Sequence, residues 1–139
     1  MNSNRIRPLM ASIDDAKGMR EIIVALGGMA GFDCIEASGP KEIAVALDQD
    51  PDLIVLDMTM PDMDGFEVIW ELGRRQSTAR LIILSGFEPK VVRAAETIAQ
   101  KSKLNVLARL EKPIDSPRLL KLLQAACRDL MPTDASLVA

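Results

Sequence analysis

The sequence contains no histidine and no tyrosine, one tryptophan and three phenylalanines, and only two cysteines. Without His, and with Cys34 and Cys127 far apart, no Cys/His spacing for zinc exists. The two thiols read as small buried or half-buried side chains in a reducing compartment. With aromatics at 3%, the core must be built from Ile, Leu, Val, Ala and Met. A basic excess is also missing: the net charge is -3 and the isoelectric point is near 5.0, which argues against a dedicated nucleic-acid surface. No apolar run approaches the length of a membrane span. The opening MNSNRIRPLM lacks the apolar segment of a signal peptide. These absences predict a soluble cytoplasmic protein with no membrane contact.

What is present suits one domain. The 139 residues are 48% hydrophobic and 27% charged, enough to bury a core without staples. Five short apolar runs alternate with five helix-like stretches. The runs are Leu9–Ile13, a weaker one over 33–37, Leu53–Leu56, Leu81–Leu84 and roughly Asn105–Leu110. Between them, apolar residues recur at helical spacing: Met19, Ile22, Ile23 and Leu26; Ile43, Ala46 and Leu47; Phe66, Ile69 and Trp70; Val91, Ala95 and Ile98; then Leu119, Leu123, Ala126 and Leu130. Gly27, Gly28 and Gly31 are expected to close the first helix, Gly39-Pro40 to open the second, and Pro89 to sit in the first turn of the fourth. Pro132 is expected to end the last helix, leaving residues 132–139 as a tail or the start of a linker after a domain of residues 1–131. Continuous apolar strands separated by helices predict an α/β fold: a doubly wound parallel sheet buried on both faces. Right-handed crossovers bring all strand C-termini to one edge, where ligands of such sheets bind.

The residues at those ends are chemically distinctive. Asp14 and Asp15 follow the first strand, Asp57 the third, Ser85 the fourth and Lys112 the fifth. Asp57 closes four apolar residues and opens a turn rich in Asp, Pro and Gly, in the stretch DLIVLDMTMPDMDGF. Three converging carboxylates repel one another and call for a cation. With only oxygen donors on offer, hard Mg²⁺ is favoured over zinc. A carboxylate so placed can attack phosphorus to give an aspartyl phosphate. Lys112 can neutralise phosphoryl oxygens, and Ser85 can donate a hydrogen bond to one of them.

In order along the chain, IDD at 13–15, LIVLDMTMPDMDGFEV at 53–68, IILSG at 82–86 and EKPID at 111–115 resemble the receiver domain of bacterial two-component response regulators. The resemblance spans nearly the whole chain. It implies a flavodoxin-like (βα)5 fold with strand order 2-1-3-4-5. It implies that Asp57 accepts phosphate, and that Asp15, Asp57 and the backbone carbonyl of Thr59 ligate Mg²⁺ directly, with Asp14 acting through water. Ser85 would be the switch hydroxyl and Lys112 the phosphate-binding lysine, ahead of a cis peptide bond to Pro113. Gly65 would permit the turn beyond the active-site loop. The implied donor is a sensor histidine kinase or a histidine phosphotransfer protein, and the implied listener is an effector domain or protein, with a second copy of the chain as a further candidate. The implied chemistry is confined to the domain's own phosphorylation and dephosphorylation, so it is not an enzyme in the ordinary sense. The output surface is expected on the fourth helix, fifth strand and last helix.

One position departs from the family pattern. Three residues before the lysine, where the family usually carries an aromatic switch residue, stands Arg109. An arginine is poorly suited to moving inward; it could instead swing towards an acidic group or contact a partner.

Plainer readings exist for each piece. Asp14-Asp15 could cap a helix, Lys112-Pro113 could be a turn, Ser85-Gly86 a loop start and Arg74-Arg75 a solvated helix end; Trp70 and Phe66 read as core. Asp62-Met63-Asp64-Gly65 also matches part of the haloacid-dehalogenase nucleophile turn, but Asp62 follows Met60-Pro61 instead of an apolar strand, and Phe66 stands where that turn usually has Thr. A calcium loop would need a ligand where Met60 stands. A receiver-like scaffold that only binds partners, without phosphorylation, is the remaining alternative.

Overall fold

The computed structural model describes residues 5–59, 65–86 and 89–131, without the side chains of Pro89 and Val92. Five strands and five helices alternate: β1 (Leu9–Ile13), α1 (Lys17–Ala30), β2 (Asp33–Ala37), α2 (Pro40–Asp48), β3 (Leu53–Asp57), α3 (Gly65–Arg74), β4 (Arg80–Ser85), α4 (Pro89–Lys101), β5 (Asn105–Glu111) and α5 (Ser116–Leu130). All strand pairings are parallel and the order is β2-β1-β3-β4-β5. This is the expected doubly wound arrangement.

The alternation of side chains along each strand sorts the core into two layers. Ala11, Ile13, Ile54, Leu56, Leu81 and Ile83 face α2, α3 and α4, where Ile43, Leu47, Val68, Ile69, Ala95 and Ala99 meet them. Met10, Leu53, Val55, Ile82 and Leu84 face α1 and α5 and pack on Ile23, Leu119, Leu123 and Ala126. Burial on both faces holds for β1, β3 and nearly all of β4, but not for the edges. β2 is half-exposed and β5 alternates, presenting Asn105, Leu107, Arg109 and Glu111 outward. An edge strand has a partner on one side only, so the two-faced rule stops one strand short of each border.

Boundary residues behave mostly as expected. Gly31 takes a left-handed φ of 112° and its N–H bonds the carbonyls of Gly27 and Gly28, capping α1. Gly27 and Gly28 themselves lie inside the helix. A Cβ on Gly27 would stand 2.5 Å from Met10 Cε and 2.8 Å from Cys34 Sγ, so Gly27 is there for close packing of α1 on the sheet. Pro40 occupies the first turn of α2, and Asp115 caps α5 by accepting the Arg118 N–H at 3.2 Å. Trp70 is corrected from core to surface: it is 70% exposed on the outer side of α3, whereas Phe66 packs against the core. Arg75, in the turn just after α3, is more than a solvated end, because it bridges Glu71 of α3 at 2.8 Å and Asp48 of α2 at 2.9 Å. Cys127 is buried and Cys34 half-buried, both unpaired, and burial pushes the Cys34 thiol up to about 11. Among the described residues, no helix is long and apolar enough to cross a membrane. Pro132, the 132–139 tail and the residues on which the phosphatase and calcium-loop readings turn, Met60, Asp62 and Asp64, lie outside the described residues.

Candidate functional site

The C-terminal edge of the sheet gathers the charged residues. β1 ends on Ile13, and Asp14 follows directly with its N–H bonded to the Ala37 carbonyl of β2. Asp57 is the last residue of β3, paired in register with Leu84 of β4. Carboxylate oxygens of Asp14, Asp15 and Asp57 all lie within 4.8 Å of one another. Asp14 and Asp57 are fully buried, while Asp15 is exposed. Two like charges at that separation repel by on the order of 3 kcal/mol at an effective dielectric of about 20.

Lys112 offsets part of this repulsion. Its Nζ stands 3.1 Å from Asp57 Oδ1 and 3.9 Å from Asp14 Oδ2. The Lys112–Pro113 bond is cis, as the resemblance implied, and the Lys112 N–H donates to the Ser85 carbonyl at 2.7 Å, tying the ends of β4 and β5. Asp57 Oδ1 also accepts the Thr59 N–H at 3.0 Å. Asp14 Oδ1 accepts the Ala16 N–H at 2.9 Å. That bond replaces the simple helix-cap reading: the residue in the cap position of α1 is Ala16, with no side-chain cap.

Two oxygens are left over. Asp14 Oδ2 and Asp57 Oδ2 are buried and have no hydrogen-bond partner. Burying such groups is costly unless something is there to meet them. Burial raises the Asp14 carboxyl from 3.8 to about 6, with the Asp57 charge adding to the effect and the Ala16 N–H and Lys112 opposing it. The orphaned oxygens, the all-oxygen donor set and the mutual repulsion fit a hard divalent cation such as Mg²⁺. Asp14, Asp15 and Asp57 are the side chains that could hold it, and Thr59 adjoins them through its N–H bond to Asp57.

Ser85 ends β4 at the same edge and is 3% exposed. Its hydroxyl is directed to the Gly86 carbonyl at 3.4 Å and is not bonded to Asp57. Arg109 lies on the outward row of β5, 58% exposed, and pairs with Glu96 of α4 at 3.0 Å. The swing towards an acidic group is therefore the arrangement found. Gly65 is explained differently from expectation: a Cβ there would stand 2.8 Å from Met58 Cα, so close approach of α3 to the residue after Asp57 is what demands glycine.

Sequence reasoning missed Arg20. Its Nη1 donates to the Asp14 carbonyl at 2.8 Å and its Nε reaches Glu36 of β2 at 3.3 Å, with the side chain 14% exposed. It braces the β1–α1 turn that carries two of the three acids. An arginine on the first turn of a helix gives no sign of this role until β2 is placed beside it.

Comparison with known proteins agrees with this geometry. The family model described as "Response regulator receiver domain" matches residues 10–124. The phosphate regulon transcriptional regulatory protein PhoB of Pseudomonas aeruginosa is 30% identical over 128 residues, covering 88% of this chain and 53% of PhoB. The chain thus spans about half the length of that relative. The chemotaxis protein CheY of Listeria monocytogenes is 30% identical over 120 residues, covering 84% of this chain and 95% of CheY. A crystal structure of a response regulator from Colwellia psychrerythraea, 29% identical, superposes with a TM-score of 0.74 over 88% of this chain and 98% of that one. A five-stranded 2-1-3-4-5 sheet, an acidic cluster at its carboxyl edge and a match over most of the chain lead to one conclusion: the protein belongs to the response regulator receiver domain family.

Proposed function

We propose that Asp57 accepts a phosphoryl group from a phosphohistidine donor and that the modification changes a partner-binding surface formed by α4, β5 and α5. The observation that carries this reading is the state of Asp57. It is fully buried at the end of β3, one oxygen held by Lys112 and Thr59 N–H, the other without a partner. Asp52, at the opposite end of the sheet, also leaves one buried oxygen unpartnered, but the open oxygen of Asp57, like that of Asp14, stands beside two further carboxylates and a lysine.

In the step proposed, an Asp57 oxygen attacks phosphorus and a P–O bond forms as the P–N bond to the donor imidazole breaks. The electron pair of that bond stays on the imidazole nitrogen, which departs as the neutral ring once protonated. Lys112 holds the acceptor in place and neutralises charge on the arriving phosphoryl oxygens. When bound, Mg²⁺ supplies charge neutralisation between the carboxylates and the phosphoryl group. The phosphoryl group adds about -1.5 to -2 charges. Ser85 then exchanges its weak contact with Gly86 for a phosphoryl oxygen, and the differential contacts of Ser85 and Lys112 favour one of two arrangements.

The donor chemistry points to a sensor histidine kinase or a histidine phosphotransfer protein. The listener is an effector domain or protein, or a second copy of this chain, and turnover is limited to the domain's own aspartyl phosphate. The domain is taken as residues 1–131. A second reading, a scaffold that works without phosphorylation, draws on Arg109: paired with Glu96 and mostly exposed, it does not supply a side chain that follows Ser85 inward.

Labelling with acetyl phosphate and Mg²⁺ separates the two. Wild type is expected to gain one acid-stable, base-labile phosphoryl group, and Asp57→Asn to gain none while keeping its circular dichroism spectrum. Equal labelling of both proteins would remove Asp57 from the role, and no labelling of either would leave the scaffold reading standing.

A further inference from the structure

We propose that the cavity between α4, β5 and α5 is the docking site for an acidic segment of a partner protein, recognised by Arg93 and Arg118 with Arg109 at the rim. This rests on the reading of that face as the output surface and names the chemistry of its partner. The cavity encloses about 550 Å³. Arg93 of α4, Arg109 of β5 and Arg118 of α5 line it, together with Ser85, Glu111 and Asp115. Ser85 is nearly buried, so it lies at depth, whereas the three arginines are exposed and lie at the mouth.

Among the described residues, two of the three local acids are committed; Glu111, which also lines the cavity, is not. Asp115 caps α5 through the Arg118 N–H, and Glu96 is paired with Arg109. Among the described residues, the guanidinium groups of Arg93 and Arg118 have no ion-pair partner. The wider charge distribution points the same way. Residues 89–131 carry nine basic and four acidic side chains, net +5, while the rest of the chain carries eight and sixteen, net -8. An overall charge of -3 therefore hides a polarised molecule. Arginine forks in a concave site match carboxylates.

Two features favour a protein segment over a nucleic acid. Leu107, 40% exposed, stands two residues from Arg109 on the same outward row of β5 and offers an apolar contact that a peptide side chain can use. A long polyanion would also extend over the acidic part of the surface, whereas charges beyond about 8 Å are screened for a short segment at physiological salt. Ser85 belongs both to this cavity and to the carboxyl edge of the sheet, so its reorientation alters the floor on which the segment sits.

The test uses the full chain and a short fluorescein-labelled peptide alternating Glu and Leu, read by fluorescence anisotropy. Single-stranded DNA of equal formal charge and inorganic pyrophosphate serve as rival ligands, and Arg74→Glu on α3 as a surface-charge control. Wild type is expected to bind the peptide in a salt-dependent manner. The double variant Arg93→Glu, Arg118→Glu should weaken binding roughly tenfold or more, and Arg74→Glu should leave it unchanged. If the reversal variant is unfolded by circular dichroism, the Arg93→Gln, Arg118→Gln pair takes its place. Undetectable peptide binding, or binding equally strong in the double variant, overturns the proposal. DNA binding as tight as the peptide reassigns the face to nucleic acid, and displacement by pyrophosphate alone reduces it to a small-anion site; either result overturns it. Acetyl phosphate labelling is measured in the same samples. Labelling without peptide binding defeats the docking site alone, and peptide binding without labelling defeats the phosphoacceptor reading alone.

Discussion

Asp14 concentrates the electrostatic strain of the site in a single side chain. Its carboxyl sits near 6 in the fold against 3.8 when free, because burial disfavours the charged form. Below about pH 4 both states are protonated and the residue is neutral in the balance. As pH rises from 4 to 6 the unfolded chain gives up its proton while the folded chain keeps it, so stability falls. Above pH 6 the deficit is constant, roughly 1–3 kcal/mol. Asp14→Asn should therefore stabilise the Mg²⁺-free protein by about that much at pH 7.5 and by almost nothing at pH 4, measured by urea unfolding. A gain of equal size at both pH values would show that the ionised charge is not its source. Mg²⁺ affinity, followed by calorimetry, should fall as pH drops through 6, since a proton then competes at Asp14; affinity flat from pH 7.5 to 5 would contradict this.

At the scale of elements, α3 and the end of β3 meet with no room to spare. An added methyl at Gly65 would strike the backbone of Met58, which cannot swing aside as a side-chain tip could. Gly65→Ala is expected to lower stability by about 1–3 kcal/mol by displacing α3, despite the better helix propensity of alanine. It should also slow acetyl phosphate labelling, because Met58 adjoins Asp57. A variant of wild-type stability with unchanged labelling would mean that α3 relaxes freely.

Much of this organisation was legible from the residues alone. The apolar runs located all five strands to within a residue, because buried parallel strands leave an unbroken signature: β4 begins one residue earlier, at Arg80, and β3 takes in Asp57. The site acids could be read because a charge that terminates a buried strand has few packing reasons to be there. What could not be read was set by neighbours distant in sequence. Trp70 matched the spacing of the core yet lies outside it, since apolar spacing does not say how far a helix face rolls from its sheet. Arg20, Gly65 and the Arg109–Glu96 pair each depend on a second element whose position no local pattern encodes.

For the molecule as a whole, ligation and stability are one equilibrium. A cation that binds the folded carboxylates, and not the unfolded chain, adds about 2.7 kcal/mol at one hundred times its dissociation constant. The thermal midpoint should rise by several degrees with saturating MgCl₂ in wild type. The Asp15→Asn, Asp57→Asn double variant should show no such rise, and NaCl of matched ionic strength should not reproduce it in wild type. A shift of equal size in the double variant would place the cation elsewhere.

β3 also works as a ruler. Only five residues long and hydrogen-bonded along both sides, it delivers its terminal carboxylate to a fixed height above its neighbours. Adding or deleting one residue within it would exchange the two core layers and turn Asp57 away from Lys112. Length variation in descendants of this chain is thus confined to the far rim, where Asp50 and Gln76 already bend the backbone through left-handed turns and no reacting group depends on the count.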